Sequence, residues 1–398
     1  MIACAIFCNP ILDLIKGECS DDWYQSYNLS KDGYQMYDAD KNNDLFDTLI
    51  NDPCVIRLPG GSGQNTARML AACLKGESEV AFVGCVGGRK TASGPELDPY
   101  ASVMKETAES IPGLRCYYDV SAEEPTGTCA VSIAKENRSL CTRLGATAKL
   151  GKQYVESLES VWRTAQVVCV TGFFVTADGP SMRRVASTAH EAGRTLVLTL
   201  SAPFIVDMFT ADVKFCAKLA NILIGNESEW EAFRNANACK TVQDAMTCWT
   251  LSNQDTTTEF GPKRDEVLTT GSDVDHPPTE HPVSALPASG LPDTQSPSPA
   301  LRLAVCTRGD QDTWVTLLTQ DGPVSATFPV PPVSDIVDTN GCGDAFLGGL
   351  IAVLVQKGTA PGKQLALDDV AEALGKANAC ARLILGTNGF DFRPEQVQ

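Results

Sequence analysis

The residue types able to do chemistry gather in a few short stretches of the chain. The strongest is Asp338-Thr339-Asn340-Gly341-Cys342-Gly343-Asp344-Ala345-Phe346-Leu347-Gly348-Gly349, which runs into an apolar helical pattern through Val355. Glycines at 341 and 343 allow a tight turn that leaves backbone N–H groups unpaired at a helix start, where those donors and the helix dipole favour an anion. Asp344 then stands in the first turn, and the same dipole is expected to lower its pKa and keep it ionised as a base. Read alone, the stretch is equally a capping carboxylate after a tight turn, because short glycine motifs recur without function. Gly60-Gly61-Ser62-Gly63-Gln64-Asn65 also places glycines before a helical pattern, and by itself it is equally a turn. Asn226-Glu227-Ser228-Glu229 puts an amide and a carboxylate three residues apart on one helical face, a spacing that also makes a capping box.

These stretches need a frame to hold them. Short β-branched runs at 2–7, 80–86, 167–171, 196–200, 222–225 and 303–307 alternate with helical patterns at 64–75, 180–192, 344–356 and 368–385. Such alternation reads as right-handed βαβ units and predicts an α/β fold with a buried, mostly parallel central sheet flanked by helices. Two regions break the rhythm. Residues 21–46 are polar and aromatic without a period, while 115–120 and 128–134 alternate apolar and polar residues around the turn Glu123-Glu124-Pro125-Thr126-Gly127. The alternation predicts a small, partly exposed antiparallel sheet laid over the main one as a lid. The expected division is a large domain from 1–14, 59–113 and 144–398, with a lid from 15–58 and 114–143.

Within the large domain, 251–300 holds eight of the 23 prolines, 13 Ser/Thr and one aromatic residue, too little apolar surface to offset ordering. It is expected to be a disordered insertion, and His276 and His281 inside it are too loosely placed for a metal site.

Composition narrows the function classes. The 398 residues carry 32 basic and 49 acidic side chains, a net charge of −17, of which −6 falls on 251–300. Without a concentrated Lys/Arg surface, nucleic acid is not an expected partner. No run of 18 apolar residues exists, so no membrane-spanning helix is expected. The first 15 residues are apolar but lack a basic start and include Asn9, Pro10 and Asp13, which suits a strand and turn better than a signal peptide. Sixteen cysteines, none spaced Cys-x-x-Cys and most within apolar runs, predict free buried thiols rather than disulfides or zinc. A cytoplasmic monomer is expected, with the nucleus also open to it.

Order and spacing together make the stretches specific: the sequence resembles the ribokinase-like carbohydrate kinases, in the form of their adenosine-phosphorylating members. Asp338 to Gly349 matches the family's second signature, Gly60 to Asn65 its N-terminal glycine pair with the Gln-Asn ending of those members, and Asn226 to Glu229 its Asn-x-x-Glu motif. Cys8-Asn9-Pro10-Ile11-Leu12-Asp13, Pro125-Thr126-Gly127-Thr128-Cys129-Ala130, Asn137-Arg138-Ser139-Leu140 and Leu200-Ser201-Ala202-Pro203-Phe204-Ile205 add to the likeness. It covers nearly the whole chain apart from 251–300 and a smaller expansion near 87–99.

The resemblance implies a ribokinase-like fold and the reaction of ATP with adenosine to give ADP and AMP, with Mg2+ as cofactor. Asp344 would take the proton from the 5′-hydroxyl. The N–H groups of Gly341, Cys342 and Gly343, with Arg138 from the lid, would stabilise the charge that develops. Asp13, at the end of the first strand, would accept hydrogen bonds from the ribose hydroxyls, with Asn9, Gly60, Gly61, Asn65 and Asn340 completing the sugar site. Phe173 and Cys129 would line the pocket for the base. Asn226 and Glu229 would serve Mg2+ through water, and Asn226, Thr307, Gly309 and Asn378 would hold ATP. Arg308 stands where the family usually has Lys or Gln, and Cys342 replaces the usual alanine, which puts a thiol beside the phosphates. Because the sugar-site residues do not read the base, a same-fold kinase for another nucleoside or a ribose-like sugar stays open. So does a silent nucleoside-binding regulator, although intact Asp344, Arg138, Asn226 and Glu229 argue against it.

Overall fold

The run Ile2–Phe7 sends its side chains alternately to two sides: Cys4 and Ile6 join one core, Ala5 and Phe7 the other. A strand buried on both faces belongs inside a sheet covered by helices on each side. In the computed structural model, which describes residues 2–31, 33–42, 44–134, 137–252 and 301–397 with the backbone alone at 137 and 138, it lies inside a large sheet. The order is Gly322–Phe328, Gln311–Thr319, Leu303–Arg308, Ile222–Asn226, Thr195–Thr199, Val167–Thr171, Ile2–Phe7, Glu79–Thr91 and Gly94–Leu97. Pairings from Leu303–Arg308 through Glu79–Thr91 are parallel, and the two C-terminal strands and Gly94–Leu97 add antiparallel edges.

Ser62–Leu74, Cys342–Gln356 and Leu367–Leu385 cover one face; Val175–Glu191, Thr210–Leu219, Glu227–Ala236 and Val242–Leu251 cover the other. The expected helices at 64–75, 180–192, 344–356 and 368–385 are these elements, give or take a turn at their starts. All sixteen cysteines are free and thirteen are buried. Among the described residues no helix is long and apolar enough to cross a membrane.

A second, smaller sheet runs Tyr34–Met36, Asn137–Arg143, Thr128–Ala134, Ile11–Lys16, Ile56–Gly60. Leu12 and Leu14 turn into a core with Phe46, Leu49 and Met104, while Ile11 and Ile15 join Cys129 and Val131 on the opposite face. Period-two alternation puts Asp13 on that second face.

Several expectations are corrected here. Leu114–Ser121 is not in the small sheet: it pairs in parallel with Glu79–Thr91 in the large one. Its alternation is that of an edge strand, with Cys116, Tyr118 and Val120 turned into the core and Arg115 exposed. Asp13 does not end the first strand. The chain leaves that strand at Cys8-Asn9-Pro10, and Asp13 sits midway along Ile11–Lys16, so the small sheet begins at 11 and also takes in Ile56–Gly60. Residues 21–46 hold Asp21–Ser26, Tyr34–Met36 and the start of Leu45–Asn51, elements too short to display a period. The insertion read at 251–300, with its two histidines, lies from 253 onward outside the described residues.

Candidate active site

Helix Cys342–Gln356 begins where Gly341 adopts φ +77°, a left-handed conformation that side chains rarely take. A Cβ at 341 would also lie 2.4 Å from the ring of Phe390, so the turn requires glycine twice over. Asp338, buried just upstream, braces the turn by accepting from Asn340 N at 2.9 Å and from Gly389 N at 2.8 Å. Cys342 N bonds Thr339 O at a long 3.4 Å, and the first turn of a helix offers N–H donors without intrahelical acceptors, a setting that favours an anion.

Asp344 stands in the first turn, half-buried. Its Oδ1 accepts from Ser62 Oγ at 2.6 Å and its Oδ2 from Asn65 Nδ2 at 3.0 Å. Burial pushes its pKa up to about 6, against the pull of these two bonds. That reverses the expected direction: removal of water outweighs both hydrogen bonds and any dipole effect. A carboxyl of that pKa is mostly ionised at pH 7.

Ser62 and Asn65 are three apart on helix Ser62–Leu74 and so share a face; Gly61, at φ +85°, is the N-cap. A Cβ on Gly61 would meet Asn9 O at 2.4 Å, and one on Gly60 would meet Asp13 Oδ2 at 2.5 Å. Gly60 therefore lets the buried Asp13 carboxylate close on this loop, and Gly61 leaves room for the Asn9 carbonyl. Asp13 pairs with Leu58 on one side and Cys129 on the other, which makes Asp13 and Cys129 neighbours on one face. Asn9 donates to Thr176 Oγ1 at 2.7 Å and to Phe173 O at 3.4 Å, and its buried Oδ1, like that of Asn65, has no partner among the described residues. Phe173 packs on Phe204 with centroids 6.4 Å apart, and Phe204 stacks on Tyr34 of the small sheet at 5.8 Å. Of the residues expected from sequence for sugar and base, these contacts link Asn9 with Gly61 and Phe173, and Asp13 with Gly60 and Cys129, with Phe204 and Tyr34 added, while Asn340 sits on the turn braced by Asp338.

Beside the turn at 339–343 lies a cleft of about 710 Å³ whose lining includes Thr307, Gly309, Cys342, Gly343 and Asn378. Every residue expected to hold ATP is there except Asn226, which pairs with Thr307 across adjacent strands. Arg382 was missed by sequence, yet it lies one helical turn beyond Asn378 on the same face and is the cationic lining residue among those described. Arg308 turns away: it lies over Trp314 at 3.8 Å and pairs with Glu227 at 3.3 Å.

Asn226 and Glu229 form a full capping box. Asn226 Oδ1 accepts from Glu229 N at 2.9 Å, and both Glu229 oxygens accept from Asn226, at 2.8 and 3.0 Å. Burial first, and then the charge of Asp344, push the Glu229 pKa up to about 7. A buried carboxylate with an amide beside it is a donor set that would suit a hard cation keeping most of its waters. Arg138 pairs with Ile133 at the end of the hairpin formed by Thr128–Ala134 and Asn137–Arg143; its side chain lies outside the described residues.

Comparison with known proteins agrees with this geometry. An adenosine kinase of Schizophyllum commune is 30% identical over 400 residues, spanning 99% of this chain and 98% of its own length. One from Schizosaccharomyces pombe is 29% identical over 356 residues, 87% of this chain and 86% of that protein. The solved structure of Schistosoma mansoni adenosine kinase in complex with adenosine in an occluded loop conformation superposes with a TM-score of 0.74 at 24% identity, over 99% of this chain and 98% of that one, a likeness of fold. The family described as pfkB family carbohydrate kinase matches residues 28–254 and 295–395, well over half of the sequence. With a family match over that span, the chain belongs to the pfkB family of carbohydrate kinases.

Proposed function

We propose that this chain transfers the γ-phosphoryl group of ATP to the 5′-hydroxyl of adenosine, giving ADP and AMP. The carrying observation is the Asp344 carboxylate, held by Ser62 and Asn65 at a helix start between the Asp13 face and the cleft. Each of its oxygens keeps a lone pair, so one can take the proton of the attacking hydroxyl while Ser62 and Asn65 fix its orientation. Asp13 accepts from the ribose hydroxyls, with Asn9, Asn340 and the backbone at Gly60 and Gly61 fixing the sugar, and Phe173 and Cys129 border the base. Thr307, Gly309, Asn226 and Asn378 hold ATP. Backbone donors at Gly341, Cys342 and Gly343, with Arg138, face the transferring group. Glu229 and Asn226 would hold Mg2+ through water, and the ion supplies charge neutralisation on the phosphates. Closure of the small sheet over the large one keeps water from competing with the hydroxyl. The free, buried thiols suit a reducing compartment, so the cytoplasm, or the nucleus, is the proposed location. A monomer is the proposed working form.

The test is ADP release and product identity for adenosine, inosine, guanosine and ribose with Mg-ATP. Adenosine should be the preferred acceptor, with AMP formed. Preference for ribose or inosine would replace the substrate, and adenosine binding without ADP release would replace the kinase by a silent binder.

A further inference from the structure

Arg68 is a buried charge that the proposed reaction does not use. It lies in helix Ser62–Leu74 and is 4% exposed. Its Nη1 donates to Pro59 O at 3.2 Å and to Phe390 O at 3.1 Å, and its guanidinium lies 5.4 and 5.5 Å from the ring centroids of Phe390 and Phe392. Nε has no partner among the described residues. A guanidinium is costly to bury, and a methionine or leucine would fill the same space without that cost.

The two acceptors explain the placement. Pro59 directly precedes Gly60, which leaves room for the Asp13 carboxylate, and Gly61, the N-cap of the helix carrying Ser62 and Asn65. Phe390 is the residue whose ring fills the space beside Gly341, the cap of the helix that carries Asp344. One nitrogen therefore ties the back of the sugar loop to the segment that supports the anion-binding turn. The charge also lies within electrostatic reach of Asp391 and, after it, of Asp13 of the site.

We propose that Arg68 is a positioning residue that sets the spacing between the sugar loop at 59–61 and the helix start at 341–344 through its shared bonds to Pro59 and Phe390. This deepens the reading given above and rests on it. An error of about 1 Å between acceptor hydroxyl and base is enough to lose about a hundredfold in rate.

Arg68→Met, Arg68→Lys and Phe390→Leu test it, by steady-state kinetics in both substrates, by melting temperature, and by calorimetric binding of adenosine. Arg68→Met should lower kcat/KM for adenosine at least about thirtyfold while KM for ATP stays within about twofold. Arg68→Lys, which keeps the charge facing Asp13 but not the planar guanidinium, should recover adenosine binding more than kcat. Phe390→Leu should lower kcat with Arg68 intact, which keeps the question answerable if Arg68→Met fails to fold. Variants with lowered melting temperature but unchanged kcat and KM would make Arg68 a space-filling residue and overturn the proposal, as would an equal rise in both KM values. If the wild type prefers another acceptor, the functional reading fails by itself and Arg68 is judged with that acceptor. If there is no turnover at all, Arg68→Met binding adenosine as tightly as wild type overturns the proposal, and binding about tenfold weaker supports it.

Discussion

Asn65 Nδ2 donates to Asp344 Oδ2 at 3.0 Å, joining residues 279 positions apart in the sequence into one unit. The sugar loop and the proposed base therefore cannot shift independently. Asp344→Asn keeps the shape of this unit and removes the base. It should lower kcat by about a thousandfold or more while adenosine still binds, as read by kinetics and calorimetry. Near wild-type turnover would remove Asp344 from that role.

Ser62 Oγ holds the other carboxylate oxygen at 2.6 Å and favours the ionised form, opposing burial. Ser62→Ala should therefore raise the Asp344 pKa above about 6. Since the carboxylate is the active form, activity is lost on the acid side, and the acid limb of the kcat/KM profile should move to higher pH. An unmoved limb would separate that profile from Asp344.

Glu229 gives a stability signature of defined sign. Its pKa is raised to about 7 in the folded chain, so the protonated form suits the fold and the charged form does not. Stability from this group is complete below the ordinary glutamate range and is lost as pH rises through about 7. Without divalent cations, Glu229→Gln should unfold at higher urea, relative to wild type, at pH 8 than at pH 5, apart from a constant offset. Parallel pH dependences for the two proteins would contradict the assignment.

The contact between Gly60 and Asp13 predicts specificity for the sugar side. In Gly60→Ala the new Cβ would sit 2.5 Å from Asp13 Oδ2, and relieving that overlap moves the carboxylate or the loop. Overpacking of this kind costs about 1–3 kcal/mol, so kcat/KM for adenosine should fall about tenfold or more with little change in KM for ATP.

Arg302, 1% exposed, donates to Lys218 O, Ala220 O and Trp249 O at 2.5–2.9 Å, and to Ser252 Oγ at 2.7 Å, with its guanidinium 3.9 Å from the Trp249 ring centroid. It thereby fastens Trp249 and Ser252 to Arg302, described residues on either side of 253–300. Replacing that segment by a Gly/Ser linker of about four residues should leave melting temperature and kcat near wild type. Arg302→Ala should cost on the order of 3 kcal/mol in urea unfolding, because several buried carbonyls lose their donor.

The large sheet was legible because its strands are buried on both sides and their apolar runs are continuous, as in 167–171 and 222–225. Leu114–Ser121 misled for the opposite reason: an edge strand of the large sheet and a strand of a small sheet share the same period of two. The candidate site residues were legible as motifs, and the structure brings Ser62 and Asn65 onto Asp344 and sets Asp13 beside Gly60 and Cys129. What spacing could not convey was which sheet holds Asp13, the direction of the Asp344 pKa, or the place of Arg68, since each depends on contacts between segments far apart in the chain. Ser62 and Arg382 carried a readable signal, for each lies three or four residues from a motif position on the same helical face.

Thirteen of the sixteen cysteines are buried, and burial holds thiols such as Cys8 and Cys141 up at about 11, where almost none is present as thiolate. A thiol-specific alkylating reagent can therefore reach them only when the structure opens. They lie in both cores of the large sheet and in the small sheet, at Cys4, Cys169, Cys216 and Cys141 among others. Their labelling rates, followed residue by residue in the wild-type chain, form a ready set of clocks for whether the small sheet opens ahead of the large one.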